Sequence, residues 1–126
     1  MGVRIVVAGH GDFPEALRSS AQMIAGSIET AGEVGLRPGV NLNDFIHQLA
    51  GFVSEEDPTL ILTDLRGGTP DNAARVLACR NPNVKVISNV TLGVLLEVLG
   101  WADLDSHSLD QLCQLAGPCV AKKEAV

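Results

Sequence analysis

Positive charge is scarce in this chain: nine lysines and arginines face fifteen aspartates and glutamates, a formal net charge of −6. An acidic surface repels nucleic acid and anionic lipid alike, so neither is expected as a partner. Long hydrophobic runs are also missing. No segment approaches the roughly 20 apolar residues that a membrane span needs. The opening MGVRIVVAG leads straight into a strand pattern, with no secretory signal, so a cytoplasmic protein without membrane insertion is expected. Cysteine is sparse. Cys79, Cys113 and Cys119 are odd in number and lack the CxxC spacing of a metal site, which predicts free thiols. Gly2 suits a myristoyl acceptor, but Val6 stands where that motif needs serine or threonine. A dinucleotide G-x-G-x-x-G and a Walker lysine are absent too, since GHGDFPEA fits neither. Linkers, low-complexity tracts and repeats are missing, so residues 1–126 read as one domain.

What is present alternates between two periods. VRIVVA (3–8), a strand within GEVGLRPG (32–39), TLILTD (59–64) and VKVISNV (84–90) are short apolar runs bounded by turn residues, the pattern of strands buried on both faces. Between them lie helical stretches. FPEALRSSAQMIAG (13–26) carries Phe13, Leu17, Met23 and Ile24, with Asp12 and Glu15 at capping-box spacing. A second helix, capped by Asn41 or Asn43, runs to about Val53 with a stripe of Leu42, Phe45, Ile46 and Leu49. A third starts at Pro70, and LGVLLEVLG and SLDQLCQLAG supply the last two. Strands separated by helices need right-handed crossovers, which predicts a doubly wound α/β domain. Its sheet is mainly parallel, of order 2-1-3-4, with helices on both faces.

In that order strands 1 and 3 are neighbours, and the loops leaving them form the switch point where open α/β sheets bind ligands. His10 leaves the first strand between Gly9 and Gly11. Asp64 ends the third, followed by Arg66, Gly67, Gly68 and Thr69. A carboxylate bonded to one imidazole nitrogen fixes the tautomer and turns the other nitrogen outward as a lone-pair donor. Glycines let backbone N–H groups converge on an anion, the start of the helix adds partial positive charge, and Thr69 offers a hydroxyl. Singly, each piece has a structural reading: the histidine a turn residue, the aspartate a cap, GGTP a common strand-to-helix turn. Together they describe a nucleophilic histidine beside a cradle for a dianion. His47 and His107 lack partners at recognisable spacing and read as surface residues; Asp12 reads as a helix cap.

The pieces VVAGHG, LRPG, LTDLRGGTPDNAA and LLEVL, in this order along nearly the whole chain, resemble the mannose-family enzyme IIA domain of the bacterial phosphoenolpyruvate-dependent sugar phosphotransferase system. The resemblance implies a phosphocarrier enzyme without metal or organic cofactor. His10 would accept a phosphoryl group from phospho-HPr and pass it to a histidine of the IIB component, upstream of the membrane components. It implies Asp64 as the carboxylate on His10, Thr69 as the hydroxyl beside the phosphate and Gly67 and Gly68 as the nest. Gly9, Gly11, Arg66 and Asn72 would support them. It also implies a cytoplasmic homodimer, in some members with an extra strand exchanged between subunits. Fusion to IIB, known among members, is not expected at this length. In VTLGVLL (90–96), Thr91 and Gly93 depart from the family's usual asparagine and proline, near the rim where partners dock. Two other readings stand beside this one: the phosphotransfer subunit of a dihydroxyacetone kinase, and a non-enzymatic module binding an anion or nucleotide.

Overall fold

The computed structural model describes residues 3–103. The helix expected over SLDQLCQLAG, with His107, Cys113 and Cys119, lies outside them.

The elements alternate strictly: β1 (Arg4–His10), α1 (Phe13–Ala25), β2 (Gly32–Leu36), α2 (Leu42–Ala50), β3 (Thr59–Thr63), α3 (Thr69–Arg80), β4 (Val84–Ile87) and α4 (Leu92–Asp103). Among the described residues the sheet has four strands in the order β2-β1-β3-β4, and every pairing is parallel. This is the doubly wound arrangement that the sequence predicts. Side chains alternate across the central strands and feed two cores. Ile5, Val7, Leu60 and Leu62 pack with Leu17 and Ala21 of α1 and with Val94, Leu95 and Val98 of α4. Val6, Ala8 and Ile61 pack on the other face with Phe45, Ile46 and Leu49 of α2 and Ala73, Ala74 and Leu77 of α3. A sheet covered on both sides exposes its loops at the ends, and that is where chemistry has room.

Several boundaries differ from the sequence reading, each for a local reason. β1 runs on to His10 because Gly9 and His10 continue the ladder against Gly35 and Leu36. α1 has no side-chain cap: the Asp12 carboxylate accepts instead from Arg37 at 2.7 Å. The buried face of α1 is Pro14, Leu17 and Ala21, and Met23 and Ile24 in its last turn are exposed. Asn41, not Asn43, caps α2 by accepting from the Asp44 N–H at 2.9 Å. α2 ends at Ala50, but the N–H groups of Phe52 and Val53 still bond three residues back to Leu49 and Ala50. That tightened turn accounts for an apolar stripe reading through to Val53.

The departure at Thr91 has a structural use. Its hydroxyl accepts from the Val94 N–H at 3.1 Å, and its carbonyl from the Leu95 N–H at 3.0 Å, so Thr91 caps α4. Thr91→Ala is expected to cost about 1 kcal/mol of stability, the usual worth of such a cap. Urea denaturation of the two proteins checks it.

Candidate active site

The register of the two central strands brings the site together. Ala8 stands opposite Thr63, so the next pair along is Gly9 and Asp64, with His10 just beyond. A Cβ on Gly9 would stand 2.9 Å from the Asp64 Cγ. Glycine is therefore what lets the carboxylate lie across the end of β1. Asp64 Oδ2 accepts twice from the same residue, from the His10 backbone N–H at 2.8 Å and from ring Nδ1 at 2.9 Å. An ionised carboxylate only accepts, so Nδ1 carries the proton and Nε2 keeps its lone pair. The His10 side chain is 47% exposed and that of Asp64 12%. The base of the site is covered and the ring is open.

Below the ring the chain from 64 to 69 is held tightly. Gly68 N–H closes a four-residue turn onto the Leu65 carbonyl at 3.1 Å, and Gly67 sits at its third position with φ 83°. That conformation favours glycine. Gly68 is needed for a different reason: a Cβ there would stand 2.9 Å from His10 Cε1, so the ring rests where a side chain would be. At the other flank Gly11 has φ 57° and bonds the Leu36 carbonyl through its N–H at 2.9 Å. The two glycines around His10 thus serve a close approach and a left-handed turn.

One sequence expectation changes here. Gly67 and Gly68 were expected to aim their N–H groups at an anion, but both donate within the protein, Gly67 to Asp71 Oδ2 at 3.0 Å and Gly68 to Leu65. A carboxylate from α3 has taken the position that a free anion would claim. Among the described residues, the Thr69 hydroxyl and backbone N–H are the donors without a partner at the start of α3, since Pro70 has no N–H and Asp71 is buried. Asn72 braces the turn by donating to the Gly67 carbonyl at 3.2 Å. The Arg66 backbone N–H bonds Asn89 Oδ1 at 3.0 Å, which ties the β3 exit to the β4 exit. Asn89 holds φ 57° to do so. His47 is exposed on α2, as expected of a surface residue.

Sequence reading passed over Asp71. Its side chain is 1% exposed, yet it lies in the first turn of α3. Thr63 and Ser88 hydroxyls each donate to its Oδ1 at 2.6 Å, and the Gly67 N–H and Arg75 Nε each donate to Oδ2 at 3.0 Å. Burial pushes the Asp71 carboxyl up, but the bonds from Ser88, Thr63, Gly67 and Arg75 outweigh it and hold the group below its ordinary value. Its stabilising effect is therefore in place above the usual carboxylate range and is lost as pH falls through the depressed value. The available signal was the Asp71/Arg75 pair at helical i,i+4 spacing.

The family model described as "PTS system fructose IIA component" matches residues 4–116. The chain belongs to this family. It is 36% identical over 100 residues to the fructose-specific EIIA component of Bacillus subtilis strain 168, covering 77% of this chain and 68% of that protein. It is 34% identical over 116 residues to the sorbose-specific EIIA component of Klebsiella pneumoniae, covering 89% and 82%. Identity is also 34% over 119 residues to the mannose-specific EIIAB component of Escherichia coli K12, covering 92% of this chain but only 36% of that longer protein. Among solved structures, a mannose/sorbose-specific IIA subunit from Enterococcus faecalis superposes with a TM-score of 0.77 at 27% identity, covering 100% of this chain and 93% of the other. An EIIA component from Streptococcus agalactiae gives 0.76 at 32% identity, covering 89% and 87%. The chain is thus a phosphotransferase component of a sugar phosphotransferase system. Among the described residues no helix is long and apolar enough to cross a membrane.

Proposed function

We propose that residues 1–126 form one IIA phosphocarrier domain in which His10 Nε2 accepts a phosphoryl group from phospho-HPr and passes it to a histidine of the cognate IIB component. The observation that carries this reading is the His10 Nδ1–Asp64 Oδ2 bond of 2.9 Å, which leaves Nε2 as the nucleophile on a half-exposed ring. In the transfer the Nε2–P bond forms as the N–P bond of the donor breaks. The phosphorylated ring keeps its Nδ1 proton and becomes formally positive, and Asp64 balances that charge. The donor imidazole is left neutral, so no proton has to move. Positioning and fixed dipoles carry such a reaction, with no acid or base step. The Thr69 hydroxyl and backbone N–H face the phosphoryl oxygens, and Gly9, Gly11, Gly67 and Gly68 keep side chains out of the way. Arg66 and Asn72 stand at the rim. The reading includes a cytoplasmic homodimer, with membrane components reached only through IIB.

Incubation with phosphoenolpyruvate, enzyme I and HPr, followed by peptide mapping, tests it. One acid-labile phosphoryl group on His10 is the expected result. Label on any other residue, or none, retires the proposal.

A further inference from the structure

The buried carboxylate of Asp71 takes no part in the reaction as written, yet its hydrogen bonds bracket the reacting pair. Thr63, immediately before Asp64, donates to one of its oxygens, and Gly67, immediately before the glycine that underlies the His10 ring, donates to the other. Ser88 joins the first oxygen from the exit of β4, and Arg75 holds the second. Arg75 also donates from Nη2 to the Ser88 hydroxyl, so the set closes on itself.

Burying a carboxylate costs several kcal/mol unless it is paired and its lone pairs are filled. Here four donors from three separate segments fill them, and their common effect is to fix both ends of the 64–68 stretch. Asp64 lies inside that stretch and binds His10 through one oxygen only; among the described residues its Oδ1 has no hydrogen-bond partner. Little else in the Asp64 side chain therefore determines where it points. We propose that Asp71 is a positioning residue for phosphoryl transfer: through the Gly67 N–H it fixes the turn that holds Asp64 and Gly68 against the His10 ring. This rests on the phosphohistidine reading above.

The chemistry of the donors makes the inference selective. Thr63 and Ser88 hydroxyls can turn from donor to acceptor, whereas the Gly67 N–H and Arg75 Nε can only donate. An asparagine at 71 would therefore place its oxygen toward Gly67 and its NH₂ toward the hydroxyls. The anchor survives in Asp71→Asn and is gone in Asp71→Ala.

The test compares both variants with Leu49→Ala, a change in the second core away from the site that lowers stability without touching the loop. Two readouts are used: the rate of transfer from phospho-HPr to folded protein, and the His10 tautomer from ring ¹⁵N shifts in the unphosphorylated chain. Asp71→Ala is expected to slow transfer by about 10- to 100-fold, the scale of a misplaced reacting group, and to populate the other tautomer. Asp71→Asn should stay within about threefold of the parent and keep its tautomer, as should Leu49→Ala. A parental rate and tautomer in Asp71→Ala overturns the inference, and so does equal damage in Asp71→Asn or in Leu49→Ala. If Asp71→Ala does not fold, amide exchange of Gly67 in the parent decides: strong protection supports the anchor, and exchange at the open-chain rate overturns it. A parent that takes up no phosphoryl group defeats the phosphohistidine reading instead, and the tautomer comparison still tests Asp71.

Discussion

His10→Ala is expected to take up no phosphoryl group from phosphoenolpyruvate, enzyme I and HPr, while folding like the parent. The loss should be complete because the substitution removes the atom proposed to bond phosphorus. Asp64 stays behind as a carboxylate of much lower nucleophilicity toward a phosphoryl dianion, whose charge it repels. The fold should tolerate the change, since the ring sits half exposed at the last residue of β1 and belongs to neither core. Its backbone N–H, which bonds Asp64 Oδ2 at 2.8 Å, is retained in alanine. Radiolabel uptake measured beside circular dichroism separates a lost nucleophile from a lost fold. Unchanged labelling in a folded variant removes His10 from the mechanism.

How far the sequence speaks depends on the range of the interaction that decides each feature. Strand and helix identities were legible because they rest on local periodicity. Parallel pairing followed from connection rules, but they leave strand order open; only with the order 2-1-3-4, which the sheet has, do the loops carrying His10 and Asp64 become neighbours. Features decided by a partner distant in sequence were less legible. Asp12 looked like a cap, with Glu15 three residues on; only the fold brings Arg37 from the end of β2 to claim its carboxylate. Gly67 and Gly68 looked like anion ligands because glycine runs before helices often are. Whether their N–H groups stay free depended on Asp71, and a polar residue in the first turn of a helix ordinarily reads as solvated. Its burial follows from the hydroxyls of Thr63 and Ser88, eight and seventeen residues away, meeting it beneath the loop. Thr91 becomes intelligible as the cap of α4 once the boundary of that helix is fixed.

Asp64→Asn should slow transfer by about 100-fold, the usual cost of losing one preorganised electrostatic partner of a developing charge. The substitution is informative because it disturbs geometry so little. The amide oxygen can take the place of Oδ2 and still accept from both His10 donors, so ring orientation and tautomer are preserved. The NH₂ then occupies the place of Oδ1, a buried atom without a hydrogen-bond partner among the described residues, so no existing bond is broken there. What disappears is the negative charge. In the parent that charge lies 2.9 Å from a ring that, in the proposed transfer, turns formally positive as the Nε2–P bond forms. At an effective dielectric near 20 two unit charges at that separation interact by about 6 kcal/mol, and spreading of the charge over a partly exposed ring reduces that figure. A remainder of about 2.7 kcal/mol corresponds to the 100-fold loss. Asp64→Ala should be worse, because it also releases the tautomer and leaves the His10 N–H without its acceptor. Rapid-quench measurement of transfer from phospho-HPr ranks the three proteins. If Asp64→Asn transfers within about threefold of the parent, charge at this position contributes little and Asp64 acts only by orienting the ring; if Asp64→Ala does so too, the pair is not the reacting centre.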